Sequence, residues 1–107
     1  MRKVSYDLTE HANFARDFRL SGQIQDAAGS VMHNIAEGFD AGTNPEFIRF
    51  LKISRRSASE VQSELYLALD RNYITQDELT TAYSLATETK RLINGMIGYL
   101  RKSKPPN

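Results

Sequence analysis

The residues most capable of chemistry are few. Asp26, His33 and Glu37 are separated by seven and four positions, a spacing that sets all three on one side of a helix. Two carboxylates and an imidazole so placed suggest a cation site. Metal sites inside helical bundles usually draw Glu-x-x-His from each of two helices. Here Ser30 and Leu8 stand three residues before His33 and His11, so neither histidine has that glutamate. A hydrogen-bonded polar face is the expectation, with no metal and no cofactor. Glu60 and Glu64, four apart, form a second carboxylate pair, which could share a proton or a cation or simply face solvent.

Nucleophilic and phosphate chemistry find no support. The chain lacks cysteine, which excludes thiol catalysis, disulfides and Cys-ligated zinc. It contains no Gly-x-Ser-x-Gly, phosphate-loop or His-Glu-x-x-His motif. No Arg is followed four to six residues later by His, the pattern of a class of helical ribonucleases. The chain is therefore read as a non-enzyme.

Charge distribution says more than net charge. The 14 Lys and Arg nearly balance 13 Asp and Glu, which excludes a basic tail or an acidic solvating domain. Yet Arg49, Lys52, Arg55 and Arg56 lie in a run, 47–59, that holds no acid until Glu60. Lys90, Arg91, Arg101, Lys102 and Lys104 form a second basic set towards the C-terminus. The plain interpretation is a solvated helix face plus cations at a helix C-terminus. The functional one assigns Arg49, Lys52, Arg55 and Arg56 to nucleic-acid phosphates, a contact that is sequence-independent and salt-sensitive.

Helices must position these residues. Apart from Pro105 and Pro106 the only proline is Pro45, and no segment alternates apolar and polar residues as a strand would. Val4, Leu8 and Ala12 mark a short first helix over about 2–12. Phe14 to Leu20 reads as a connector tucking Phe14 and Phe18 against the core. Ser21 is the candidate cap of a second helix carrying Ile24, Ala27, Ala28, Val31 and Ile35, ending near 38–42. Asn44 as cap and Pro45 at the first helical position open a third, with Phe47, Leu51, Ser54, Ala58, Val61, Leu65 and Ala68 in one stripe to about Arg71. Thr75 and Glu78 match a capping box for a fourth, with Leu79, Ala82, Ala86, Ile93, Ile97 and Leu100 facing inward as far as Lys102.

Short connections make neighbouring helices antiparallel. The predicted fold is all-α: an up-down four-helix bundle over 1–104 with a short first helix, followed by a disordered tail at 105–107. The first helix cannot cover partners twice its length, so part of the core groove is expected to stay open. Leu85, Leu92 and Tyr99 recur every seven residues with Met96 beside them, about 100° from the inward face. A heptad repeat beside a core face suggests packing on another subunit. No apolar run reaches the roughly 20 residues of a membrane span, and a cytoplasmic protein is expected.

The run Asn34-Ile35-Ala36-Glu37-Gly38-Phe39, preceded by Gln23-Ile24 and Ala27-Ala28, resembles the most recognisable motif of the large-subunit ribosomal RNA intervening-sequence proteins. Glu46-Phe47, Arg49-Phe50-Leu51, Ser57, Glu60 and Tyr73-Ile74 extend the similarity. The resemblance implies an up-down four-helix bundle and a homo-oligomer, a pentamer. It also implies association with RNA or DNA and, in a related branch, a reverse-transcriptase partner. Two features depart from the family: the first helix is shorter, and Arg56 stands where the family often has Gly. Read physically, Asn34, Glu37, Ser57 and Glu60 are placed for a polar network fixing helix register, with Gly38 letting the chain leave its helix.

Overall fold

The computed structural model describes residues 1–103, and the tail expected at 105–107 lies outside them. Five helices follow one another: α1 (Arg2–Thr9), α2 (Ala12–Arg16), α3 (Phe18–Phe39), α4 (Asn44–Asp70) and α5 (Gln76–Lys102). No strand occurs among the described residues. Helices α1, α3, α4 and α5 make an up-down bundle drawn out to 53 × 21 × 17 Å, and α2 is an added turn at the end of α1.

Helix starts follow side-chain chemistry, at two places one cap away from the sequence reading. Asp17, not Ser21, caps α3: its carboxylate accepts from the Leu20 N–H at 3.2 Å. Ser21 is already helical, its N–H bonded to the Asp17 carbonyl, and buried. Either residue satisfies the preference for a short polar side chain at a cap. Asp17 prevails because its other oxygen is also engaged, by Arg71 at 2.6 Å and the Tyr73 hydroxyl at 3.0 Å. Likewise Thr43 rather than Asn44 caps α4, accepting from the Glu46 N–H. Asn44 instead donates to the Leu100 carbonyl at 3.2 Å, tying the start of α4 to the end of α5. The Thr75–Glu78 capping box is formed in both directions.

The connector expected over 14–20 is largely helical. Phe14 is buried and stacks on Tyr73 with centroids 5.4 Å apart. Phe18 was expected to tuck inward as well, but it opens α3 on the outer side, 83% exposed. Between α4 and α5 the chain turns at Asn72, whose φ of 60° is left-handed. The Tyr73 N–H returns to the Ala68 carbonyl and the Asn72 N–H to Leu69, the paired bonds that close a helix C-terminus.

Core residues fall into two groups. One gathers Leu8, Phe14, Ile24, Ala28, Val61, Leu65, Ala68, Leu79 and Ala82 beneath α1 and α2. The other holds Leu51, Ile93, Ile97 and Leu100, with Ile35, Phe47 and Ile48 at its edge. At 1.5 Å per residue the eight residues of α1 extend about 12 Å, against about 40 Å for α4 or α5. Among the described residues the first group therefore has a fourth helix over it and the second does not.

Candidate nucleic-acid interface

Antiparallel packing of α4 on α5 brings the two basic stretches together. Arg49, Lys52, Arg55 and Arg56 from α4 and Lys90 and Asn94 from α5 line one open groove of about 620 Å3, with Ile53 and Ser59 between them. The cations differ in availability. Arg49 is held by Glu46, with Nε 3.1 Å and Nη2 3.2 Å from its carboxylate, and lies over the Phe50 ring. That pairing raises the Arg49 pKa. Arg55 donates to the Asn94 amide oxygen at 2.7 Å and Lys90 to the Ser59 hydroxyl at 3.3 Å. Both partners are neutral, so both charges stay uncompensated. Among the described residues no carboxylate lies within 4.0 Å of the charged nitrogens of Lys52, Arg55, Arg56 or Lys90.

Four members of this groove, Ile53, Ser59, Lys90 and Asn94, escaped the sequence reading as site residues. Lys90 sat in the second basic stretch and Asn94 carried no signal; only the α4–α5 register aligns them with Ser59 and Arg55. The rest of that stretch divides. Arg91 pairs with Glu88 at 2.5 Å, and Arg101 and Lys102 occupy the last turn of α5, where cations suit the helix dipole. Lys104 lies outside the described residues.

On the α3 side of α4 the potential reverses. Asp26, Glu60 and Glu64 line a pocket of about 510 Å3 with Gln23, Ser30 and Ser57. Arg56 and Ile53 border both this pocket and the basic groove. Glu64 Oε2 is buried without a hydrogen-bond partner among the described residues. Its burial, then the charges of Glu60 and Asp26, push the Glu64 carboxyl up to about 7. The Glu60–Glu64 pair thus sits beside a third carboxylate from α3.

The Asn34 motif proves to be an α3–α4 seam. Asn34 donates to the Ser30 carbonyl at 2.8 Å and to its hydroxyl at 2.9 Å, and the Ser57 hydroxyl reaches the same Ser30 hydroxyl at 2.9 Å. Ser54 adds a buried bond to the Val31 carbonyl at 2.8 Å. Glu37 and Glu60 make no hydrogen bond in this seam: Glu37 stands 3.9 Å from exposed His33, and Glu60 faces the acidic pocket. Gly38 is not a helix exit, since α3 continues through Phe39; it lies against the Phe47 ring of α4. The Asp26, His33, Glu37 set is not gathered, and no group of three or more potential metal ligands occurs among the described residues. His11, the other histidine, bonds Glu78 at 2.7 Å, and that bond, with the one from the Thr75 N–H, lowers the Glu78 pKa.

The α5 stripe is exposed: Leu85, Leu92, Met96 and Tyr99 all present surface, with Leu92 at 62% and Tyr99 at 67%. Leu92 and Met96 also border an apolar groove of about 190 Å3 with Ile35, Phe39, Phe47, Leu51 and Ile93. No helix among the described residues is long and apolar enough to cross a membrane.

A crystal structure of a protein of unknown function from the S23 ribosomal protein family of Bacteroides thetaiotaomicron VPI-5482 superposes with a TM-score of 0.78. It is 28% identical, over 86% of this chain and 83% of the other. No curated protein matches the chain. The sequence itself matches the description "23S rRNA-intervening sequence protein" over residues 1–95. That span contains α1 to α4, the Asn34–Ser30–Ser57 seam, the whole basic groove and most of α5, and with the shared bundle it shows that the chain belongs to the 23S rRNA-intervening sequence protein family.

Proposed function

We propose that this protein binds the phosphate backbone of a structured RNA along the α4–α5 groove, without catalysing a reaction. The observation that carries this reading is the clustering of Arg49, Lys52, Arg55, Arg56 and Lys90 in one groove, four of them without a carboxylate partner among the described residues. Phosphate contacts of this kind supply affinity and orientation rather than sequence readout. The acidic pocket on the far side of Arg56 repels phosphate and limits the strand to the α4–α5 side. The family is described by intervening sequences of 23S rRNA, which makes RNA the nucleic acid to try first.

One bundle offers few phosphate contacts. Self-association through the exposed stripe of Leu85, Leu92, Met96 and Tyr99 would repeat the groove and raise affinity by avidity.

Fluorescence anisotropy of a labelled structured RNA, read at two salt concentrations, tests the reading. Wild-type protein binds, and binding weakens steeply with salt. Arg55→Glu with Arg56→Glu abolishes binding while circular dichroism shows unchanged helicity. Binding that survives this charge reversal removes the groove from the proposal. Absence of binding at low salt, with folded protein, leaves a protein-interaction module, the reading that the apolar groove beside α5 favours.

A further inference from the structure

Every fourth residue of α4 from Lys52 to Glu64 is charged, and the sign changes halfway: Lys52 and Arg56, then Glu60 and Glu64. A row of this spacing slants across a helix surface. In α4 it starts in the basic groove beside α5 and ends in the acidic pocket beside α3, and Arg56 borders both. Arg56 stands four residues before Glu60, the weaker order for an ion pair along a helix. The pair is not closed: among the described residues no carboxylate lies within 4.0 Å of the Arg56 guanidinium. Arg55 and Lys90 are fixed within the groove by Asn94 and Ser59. Arg56 is the exposed cation that either side can draw.

The charge of the pocket is itself variable. Asp26 is its acid from α3, and Glu60 and Glu64 are its acids from α4. Arg56 is the one cation on its lining, to which α5 contributes no residue. Glu64 Oε2 is buried there and unpartnered among the described residues. An ionised carboxylate so placed is costly, and a protonated one much less so. Burial, then the charges of Glu60 and Asp26, hold the Glu64 carboxyl up at about 7. The pocket therefore gains or loses one negative charge around neutrality.

Resting on the RNA-binding reading above, we infer that the acidic pocket regulates the α4–α5 groove through Arg56: ionised, it holds Arg56 back from phosphate, and on taking up a proton it yields Arg56 to the groove. The coupling is reciprocal, so RNA in the groove favours the proton on Glu64. As pH falls through the Glu64 pKa the pocket becomes less negative, and the groove holds RNA more tightly. As pH rises the third carboxylate returns and binding weakens. Glu64 lies eight residues from Arg56, about 12 Å along α4. One charge at that distance in a partly solvated site changes an affinity by roughly twofold to fivefold. The histidines lie elsewhere, His11 at Glu78 and His33 beside Glu37, and neither lines the groove or the pocket.

The test is fluorescence anisotropy of a labelled structured RNA at pH 6 and pH 8 and constant ionic strength, a window in which phosphodiesters do not titrate. Wild-type protein is expected to bind roughly twofold to fivefold more tightly at pH 6. Glu64→Gln fixes that position as neutral, so at pH 8 it should bind as the wild type does at pH 6, and its ratio should fall towards one. Arg56→Ala should bind more weakly at both pH values and also lose the ratio. Carbon-13 NMR gives a second readout: the Glu64 titration should move to higher pH when RNA is added. A ratio that Glu64→Gln or Arg56→Ala leaves unchanged overturns the inference, as does a Glu64 titration that RNA does not move. Either failure leaves the RNA reading standing if Arg55→Glu with Arg56→Glu still abolishes binding. No binding by the folded protein at either pH overturns both.

Discussion

Gly38 of α3 lies against the ring of Phe47 of α4: a Cβ built on Gly38 would stand 2.7 Å from Phe47 Cδ1 and 3.4 Å from Phe50 Cβ. The absent side chain lets α3 and α4 approach beside the Asn34–Ser30–Ser57 seam. Gly22, also within α3, has nothing within 4 Å of its Cβ position. Gly38→Ala is therefore expected to lower stability by about 1–2 kcal/mol through overpacking. Gly22→Ala is expected to raise it by about 0.5–1 kcal/mol through helix propensity. Urea midpoints decide; a Gly38→Ala protein as stable as the wild type would show that Phe47 is free to swing aside.

Asp17 caps α3, and Ser21, the cap expected from the sequence, lies inside the helix. Asp17→Ala removes the bond to the Leu20 N–H and those from Arg71 and Tyr73, so its thermal midpoint should fall clearly below that of Ser21→Ala. The bond from the Leu20 N–H, with those from Tyr73 and Arg71, keeps the Asp17 carboxyl below its ordinary pKa. A lowered folded-state value means that this stabilisation is full above the unfolded carboxylate pKa and fades as pH falls through the folded one. The gap between wild type and Asp17→Ala should accordingly narrow on acidification.

Glu64 carries the opposite sign. Its folded pKa of about 7 exceeds the ordinary 4.5, so the folded protein binds the proton more tightly and loses stability as pH rises from about 4.5 to 7. The facing groups are Asp26 and Glu60, with Arg56 at the pocket edge. Glu64→Gln removes the titration and should stabilise the bundle by about 1 kcal/mol above pH 7, less than the full linkage value because the side chain is partly open to solvent. Denaturation at pH 5 and pH 8 gives the comparison, and an equal effect at both would contradict it.

Within the basic groove the cations are not equivalent. Arg49 already satisfies Glu46, whereas Arg56 has no acidic partner within 4.0 Å among the described residues. If RNA phosphates bind there, Arg56→Ala should weaken binding more than Arg49→Ala and lower the salt slope by about 1. Glu46→Gln should strengthen binding by freeing Arg49. Anisotropy titrations across a salt series measure all three.

The α5 stripe predicts a mass. Leu92→Glu, at a 62% exposed position, should leave helicity intact and reduce a self-associated protein to monomer in sedimentation. A wild type that is already monomeric, or a mass that Leu92→Glu does not change, would remove the stripe as a contact.

How far the sequence could be read depended on the range of the forces involved. Helix-period stripes are local, so Ile24 to Val31, Leu51 to Ala68 and Leu79 to Leu100 are legible as inward faces, and the structure buries them. The Thr75–Glu78 box is equally local. The cap of α3 was less legible, because Asp17 and Ser21 are chemically alike and the decision came from Arg71 and Tyr73, more than fifty positions away. Gly38 read as an exit because glycine often ends helices; its real constraint is a ring from another helix.

The site divides in the same way. Arg49, Lys52, Arg55 and Arg56 are one local run, so a positive α4 face was visible from residue order alone. Lys90 and Asn94 join it only because α4 and α5 pair at one register, and Glu46 takes Arg49 out of full availability by reaching it one turn along. Likewise, the short first helix already implied an uncovered core. Which walls remain bare, and that they run on from Met1 past Thr89 towards Phe39, was decided by the packing of three helices. Sequence alone determined the helices, their inward faces and the basic run, because these arise from neighbours within a few turns; tertiary structure decided which charges stay unpaired and which apolar surface stays open, because both depend on what a distant helix brings alongside.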